Sequence, residues 1–250
     1  MIGASGHGWG LAIFPLGAVV IAYLFALVLL KQFVARPRPY RLVWAVALLM
    51  YGVASQSMFL GVLRGWSPLD YRLYWLLGAV LNVPFLFQGE VYLLARNRWL
   101  AYATLIVLLA ATAFAAVKVS QAPLHAALLR EKLPLGKDVF GDHSLPYRLA
   151  QFYAFPAYFL LIGGLVWSAW HMRGTPELRN RTAGTLGIAL GATIVAIGSG
   201  VGAGYKVVAL FSIALAVGIA VMFWGFVAAG RPTSPSARPD QQRAAASPEP

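Results

Sequence analysis

The chain has no cysteine among its 250 residues, and only 11% of its residues are charged. Without thiols it forms no disulfides, thiolate nucleophiles, zinc–sulfur sites or iron–sulfur sites, and thiols give no indication of its redox compartment. Acidic residues are especially scarce, since there are only eight. What fills the chain instead is apolar: 60% of its residues are hydrophobic, against roughly 45–50% in a soluble domain.

Catalytic and cofactor signatures are also missing from the sequence. It contains no Ser-His-Asp set, no HExxH and no Walker sequence. None of the four histidines lies in the middle of an apolar run, which argues against a bis-histidine haem, and the last run has no central lysine for a retinal Schiff base. We therefore predict no cofactor and no metal site. The start, MIGASGHGWG, lacks a basic region, so a cleaved signal peptide is not expected.

Seven apolar runs fill most of the chain, and each is about the 20 residues that a helix needs to cross a bilayer core. Backbone amides must be paired within lipid, so each run is predicted to be a helix. We predict an all-α integral membrane protein with one seven-helix domain over 11–230, preceded by a short outer tail over 1–10. The runs cover residues 11–34, 42–63, 73–95, 99–119, 150–171, 182–201 and 206–229.

The net charge of +12 is distributed in a way that predicts topology rather than nucleic-acid binding. Loops rich in Lys and Arg stay in the cytoplasm. Twelve of the 20 basic residues fall on one face, in the loops after the first, third and fifth runs and in the C-terminal segment. We therefore predict a multi-pass plasma-membrane protein with its N-terminus outside and its C-terminus in the cytoplasm. The twelve residues are Lys31, Arg36, Arg38, Arg41, Arg96, Arg98, Arg173, Arg179, Arg181, Arg231, Arg238 and Arg243.

Three segments outside the helices carry further expectations. In the outer loop, about 120–149, the leucines of Pro123–Leu133 share one side, which predicts a short interfacial helix over the bundle mouth; a solvated linker is the alternative. Residues 231–250 hold five prolines and no aromatic or branched aliphatic residue, so we predict a disordered cytoplasmic tail. An aromatic belt at the outer interface is expected from Trp66, Tyr71, Tyr74 and Trp75.

The sequence contains a weak indication of an internal repeat. Phe14-Pro15 opens the first run and Phe155-Pro156 opens the fifth. A 3+1+3 arrangement, with the fourth helix linking two parallel three-helix units, would explain the pair, and chance is the alternative. This plan resembles the general architecture of the SWEET sugar transporters in span count and orientation, and also the seven-helix input modules of bacterial sensors. The proline-glutamine motif of the SWEET group is absent, so the resemblance implies no function.

Glu90 is the only acidic residue inside a predicted span. Ionisable groups at membrane depth are costly, and such a residue suggests a proton or cation site that couples or gates. Arg96 follows six residues later, so at 1.5 Å per residue Glu90 lies about 9 Å from the basic interface. Pairing with Arg96, Arg98 or another basic residue is therefore the alternative interpretation.

A second polar set lies in the outer half of the bundle. It consists of Ser55, Gln56, Asn82, Tyr153 and Tyr158. Gln56, Asn82 and Tyr158 fall roughly 10–13 Å from the outer ends of their runs at 1.5 Å per residue. Pro84 and Pro156 each remove an amide donor nearby. We predict kinked helices that line a small ligand-binding pocket open to the outside; interhelical hydrogen bonds, worth about 0.6 kcal/mol on average, are the alternative.

The sixth run places Gly184, Gly187 and Gly191 at intervals of three and four residues. Small residues at this spacing let another helix approach closely, so we predict a packing face. A hinge, or a face for another membrane protein or a second copy of the chain, is the sharper interpretation. The lipid bilayer is the other expected partner, and nucleic acid is not expected.

Three functions are compatible with these features. The leading hypothesis is a bacterial-type transporter or sensor that binds a small or lipid-like molecule in the outer-half pocket, with Glu90 coupling or gating. The second is a non-catalytic membrane scaffold or an assembly subunit of a larger complex. The third is a membrane enzyme that uses His143 and Asp142 for acid–base chemistry on a lipid headgroup.

Overall fold

Seven long helices make up the computed structural model, which describes residues 6–230, with side chains described from residue 12 onward except at 176. The predicted tail over 231–250 lies outside the described residues. The helices are α1 (Gly6–Ala35), α2 (Pro39–Arg64), α3 (Pro68–Leu94), α4 (Arg98–Gln121), α5 (Leu145–Met172), α6 (Arg179–Gly204) and α7 (Val208–Ala229). All seven are long and apolar enough to cross a membrane, and the described residues contain no strand. The all-helical, seven-span prediction is confirmed.

Helices α3 and α5 each begin five residues before their apolar runs. Ser67 Oγ accepts a hydrogen bond from the amide of Asp70 at 3.0 Å, and Ser144 Oγ accepts one from the amide of Tyr147 at 3.4 Å. Each serine satisfies an amide that has no partner inside its helix, and a proline in the first turn fits there without loss. Polar first turns thus extend α3 and α5 beyond the runs that begin at residues 73 and 150.

Six helices form a ring, and the fourth span lies outside it. Around the ring, α1 packs on α2, α2 on α3, α3 on α5, α5 on α6, α6 on α7 and α7 on α1. Helix α4 packs from outside against α3 and α5. All seven helices carry exposed large apolar side chains, as expected for a bundle surrounded by lipid.

The connections between helices define two ends of the ring. We call the end that carries residues 122–144 the long-loop end; it also holds the connections 65–67 and 205–207. We call the opposite end the basic end; it holds the connections 36–38, 95–97 and 173–178. Residues 6–10, expected in an outer tail, instead form the start of α1 at the long-loop end.

The long loop is folded differently from the expected interfacial helix over 123–133. It forms a 3-10 turn at Ala126–Arg130 and a one-turn helix at Gly136–Phe140. The amide of His125 donates to the carbonyl of Val139 at 3.0 Å. The two arms of the loop therefore bond to each other, and this pairing replaces a longer helix.

Glycines bring α6 and α7 into backbone contact. A Cβ added to Gly187 would lie 3.0 Å from Gly225 Cα, and one added to Gly191 would lie 2.5 Å from the carbonyl oxygen of Gly218. Gly184 likewise faces the backbone of Gly225. The glycine face singled out in the sixth run is therefore covered by α7 of the same chain.

Candidate functional site

A cavity of about 590 Å³ lies inside the ring, in the half nearer the long-loop end. Helices α2, α3, α5, α6 and α7 line it, and no charged residue is among its described lining residues. Sites for small organic ligands typically have volumes of about 300–1,000 Å³ and mostly apolar walls with a few polar groups. A charged ligand would find no opposite charge in this wall, so the cavity suits a neutral and largely apolar molecule.

Helix α3 forms its part of the wall through a π-helical segment. The helix is α over Pro68–Leu73, π over Tyr74–Leu81 and α again over Asn82–Leu94. Pro84 has no amide, so the carbonyl of Val80 cannot bond four residues ahead, and the amide five residues ahead is the next one available. The lining residues from this stretch are Tyr74, Trp75, Gly78, Ala79, Asn82 and Val83. The irregularity expected at Pro84 is thus accompanied by a wider helix along the cavity.

Two polar side chains of the cavity wall have atoms free to bond a ligand. Asn82 Nδ2 donates to the carbonyl of Ala47 on α2 at 2.7 Å, while its Oδ1 makes no hydrogen bond to the described chain. The Ser55 hydroxyl also has no partner among the described residues, and both residues line the cavity. The nearby Tyr51 hydroxyl is occupied, because it donates to the carbonyl of Leu215 at 2.8 Å.

The structure brings three residues of the predicted polar set to one cavity. Ser55, Asn82 and Tyr158 line it from α2, α3 and α5. The Tyr158 hydroxyl donates to Thr193 Oγ1 of α6 at 3.1 Å. This bond joins α5 to α6, so Tyr158 lines the cavity and also makes the kind of interhelical hydrogen bond considered from sequence.

Gln56 and Tyr153, the other two members, lie away from the cavity. Gln56 is exposed on the side of α2 that faces α1, where its Oε1 accepts a hydrogen bond from Tyr23 at 2.9 Å. The Tyr153 hydroxyl points to α4 and donates to the carbonyl of Ala111 at 3.5 Å. One residue turns a helix by about 100°, so residues at equal depth can face opposite sides.

Other polar residues of the lining were not predicted from sequence to face the pocket. They are Tyr51, Tyr74, Tyr147, Gln151 and Ser199. Two of them carried a usable signal: Tyr51 precedes Ser55 by four residues, and Gln151 precedes Tyr158 by seven. Residues at these spacings share one face of a helix. Periodicity would therefore have extended the predicted set, whereas depth alone did not.

A cluster of aromatic side chains closes the cavity toward the long-loop end. We call Tyr71, Tyr74, Trp75, Phe140 and Tyr147 the roof cluster. The Trp75 ring lies 5.7 Å from that of Phe140 and 6.2 Å from that of Tyr147, and its Nε1 donates to the carbonyl of Pro146 at 3.0 Å. Tyr74, Trp75 and Tyr147 also line the cavity. The roof cluster thus separates the cavity from this end of the bundle.

The expectation of an aromatic belt around this end is wrong. Trp66, Tyr71 and Trp75 are buried rather than displayed to lipid. Trp66 Nε1 donates to the carbonyl of Lys132 at 3.2 Å, and the Tyr71 hydroxyl donates to the carbonyl of Pro134 at 3.2 Å. The long loop folds over these rings and supplies the hydrogen-bond acceptors of Trp66 and Tyr71.

An ion-pair cluster fastens the long loop to the turn between α6 and α7. Lys206 Nζ lies 3.0 Å from Glu131 Oε2 and 3.6 Å from Asp138 Oδ2. The hydrogen bond with the Glu131 carboxylate raises the pKa of Lys206 above its ordinary value. All three side chains are partly exposed, so the cluster positions the loop without adding much stability.

Glu90 lies on α3 beyond the cavity, toward the basic end. It is only 2% exposed, and neither carboxylate oxygen has a hydrogen-bond partner in the described chain. Pairing with Arg96 or Arg98 is therefore not found. Gly164 of α5 makes room for the carboxylate, since a Cβ added there would lie 2.6 Å from Glu90 Oε1.

Glu90 shares a helix face with the cavity wall. Asn82, Leu86 and Glu90 follow one another at intervals of four residues, so they lie along one side of α3. Asn82 and Leu86 line the cavity, and Leu86 also lines a smaller apolar space of about 20 Å³. These three residues form a column along one face of α3 that runs from the cavity wall to the buried carboxylate.

The residues considered for enzymatic chemistry are not assembled into a site. Asp142 and His143 are both exposed in the long loop, and neither lines the cavity. Among the residues whose side chains the structure describes, no group of three or more His, Asp or Glu side chains is placed to hold a metal ion.

No protein-family model, curated protein or solved structure matches this chain. The class of protein therefore follows from the fold and the site alone. Seven helices of spanning length and composition make the chain a multi-pass membrane protein. Its distinguishing feature is an uncharged cavity inside a ring of six of these helices.

Proposed function

We propose that the chain is a plasma-membrane protein that binds a small or lipid-like molecule in its central cavity, as a transporter or a sensor. This proposal rests on the cavity of about 590 Å³. Its wall is uncharged and contains Ser55 and Asn82, which have atoms free for hydrogen bonds. An apolar body would fill the cavity, and a hydroxyl or amide group would orient it against these two residues.

Glu90 is the proposed coupling or gating group. A buried ionisable residue without a partner in a membrane span is expensive, and such residues are commonly retained for a proton or ion pathway. The column from Asn82 through Leu86 to Glu90 offers a physical route by which occupancy of the cavity and the state of the carboxyl influence each other. Glu90→Gln is expected to change how fast the bound molecule exchanges while leaving its identity unchanged.

We also propose that the long-loop end faces outside and that α1–α3 and α5–α7 are related units. The distribution of basic residues supports the orientation. The order of helices around the ring supports the second point, since exchanging α1–α3 with α5–α7 leaves that order unchanged, and α4 lies outside as a linker would.

Native mass spectrometry tests the binding function. The protein is purified in a mild detergent from the membranes of cells that express it. We expect a discrete bound molecule on the wild-type chain. Replacing Ser55 and Asn82 together by Ala removes two hydrogen bonds of about 0.5–1.5 kcal/mol each, so the affinity should fall about tenfold. Ala196→Phe, which places a ring in the cavity, should abolish the bound mass.

A matched control separates loss of the cavity from general damage. Ala110 is exposed on α4 and does not line the cavity, so Ala110→Phe should retain the bound molecule. A bound mass that survives Ala196→Phe would contradict the proposal. A protein that has no bound small molecule but co-purifies with a second polypeptide in stoichiometric amount would favour the scaffold hypothesis instead.

A further inference from the structure

The cavity has an open side between α5 and α6. On the basic-end side of the Tyr158–Thr193 hydrogen bond, Leu161 and Leu165 of α5 pack with Ala189 of α6. On the other side of that bond, four lining residues of the two helices are exposed, namely Gln151, Phe155, Ile197 and Gly200. Phe155 is 59% and Ile197 is 61% exposed, and Phe159, beside Tyr158, is 68% exposed. The helices thus meet at one end and leave a gap at the other, which we call the lateral opening.

The lateral opening faces the bilayer and not the solvent. The residues on its two edges, Phe155, Phe159, Ile197 and Gly200, all lie inside membrane-spanning helices. Large apolar side chains at these positions are in contact with lipid chains when the protein is in a membrane. The roof cluster closes the path from the long-loop end. The open route into the cavity is therefore sideways.

We infer that one hydrocarbon chain of a bilayer lipid enters the cavity through the lateral opening, so that the ligand is a lipid taken from the membrane. This inference rests on the proposed binding function and narrows its ligand class. The uncharged wall accepts a hydrocarbon chain without burying an unpaired charge. Gln151 and Ser199, which line the long-loop side of the opening, supply hydrogen bonds for the ester or hydroxyl groups near the headgroup.

Gly200 offers a way to close the opening without disturbing the bundle. A Cβ added there has nothing within 4 Å, so a side chain can start at this position without a clash, and we expect a large one to extend into the gap. Gly163 of α5 is the matched control. It is also exposed, also has nothing within 4 Å of an added Cβ, and does not line the cavity.

The experiment uses the full chain in lipid nanodiscs that contain a phosphatidylglycerol with a diazirine at the end of one acyl chain. After illumination, mass spectrometry maps the adducts. We expect adducts on buried lining residues such as Tyr51 and Ala192, beside those on the exposed surface of α4. Gly200→Trp should lower the ratio of cavity adducts to α4 adducts about tenfold, and Gly163→Trp should leave it unchanged.

Each alternative outcome identifies which idea fails. Adducts confined to lipid-facing residues in the wild type, or cavity adducts that persist in Gly200→Trp, overturn lateral lipid entry. If native mass spectra then still show a bound molecule that Ala196→Phe removes, the binding function stands and the ligand comes from water. Should Gly200→Trp not fold, Ile197→Trp on the same edge of the opening provides the same test.

Discussion

Glu90 is the residue at which burial and charge conflict most strongly. An ionised carboxylate without partners is costly in a low-dielectric interior, and the described chain gives this one no donor. The packing nevertheless accommodates it, because Gly164 leaves space where any side chain would collide with its oxygens. Glu90 of α3 and Gly164 of α5 thus pack directly against each other.

We predict that Gly164→Ala destabilises the chain through this pair. The added methyl group displaces the carboxylate, and because the carboxylate ends a flexible side chain, the cost should be about 1 kcal/mol, the low end for overpacking. Thermal unfolding in detergent measures it. The same substitution in a Glu90→Ala background should cost nothing, and Gly163→Ala should be harmless. Equal destabilisation in both backgrounds would show that the two residues do not interact.

At the scale of the element, α6 and α7 form the closest contact in the ring. Gly187 and Gly191 on one helix meet Gly218 and Gly225 on the other, so backbone packs on backbone. Helices gain van der Waals contact in lipid when small residues permit this approach. The hypothesis of a partner docking on the glycine face of α6 would require α7 to be displaced.

Gly191→Ala is expected to destabilise the α6–α7 contact. Its Cβ would lie 2.5 Å from the carbonyl oxygen of Gly218, and a backbone atom cannot rotate away. The helices must separate, at a cost of about 2 kcal/mol. Gly200→Ala on the same helix faces open space and serves as the control. Unfolding midpoints in detergent give the comparison; equal values for the two variants would be incompatible with backbone contact at Gly191.

The whole molecule is a ring of six helices with α4 attached outside. Helices α5 and α6 close the ring only toward the basic end, and the long loop covers the other end through the roof cluster. Apart from Glu90, the described charged residues lie near the ends of the helices or in the connections, and each helix exposes large apolar side chains. In this arrangement the lateral opening lies between two membrane-spanning helices, which is the basis of the proposed entry of lipid.

Orientation is tested on the whole molecule with single cysteines, because the chain has none of its own. Asp142→Cys places one thiol at the long-loop end, and Thr175→Cys places one at the basic end; both positions are exposed. On intact cells a membrane-impermeant maleimide should label position 142 and should label position 175 only after permeabilisation. The reverse pattern would overturn the proposed orientation.

The sequence determined the class of protein, because spanning length and apolar content are local properties that need no tertiary contact. It also indicated Glu90, whose charge is anomalous in any apolar run. Depth along the helices correctly placed Asn82 and Tyr158 at one level of the cavity. Depth could not show that Gln56 faces away from the cavity, because the direction of its side chain depends on which neighbours α2 packs against.

Only the tertiary structure decided where the cavity lies and which side of it is open. The aromatic residues near Trp75 could have faced lipid. The long loop covers them and supplies the carbonyl acceptors for Trp66 and Tyr71, and the first turn of α5 supplies the acceptor for Trp75. The π segment before Pro84 and the gap between α5 and α6 depend on how complete helices pack around one another. Such packing is a property of the assembled ring, which no single span encodes.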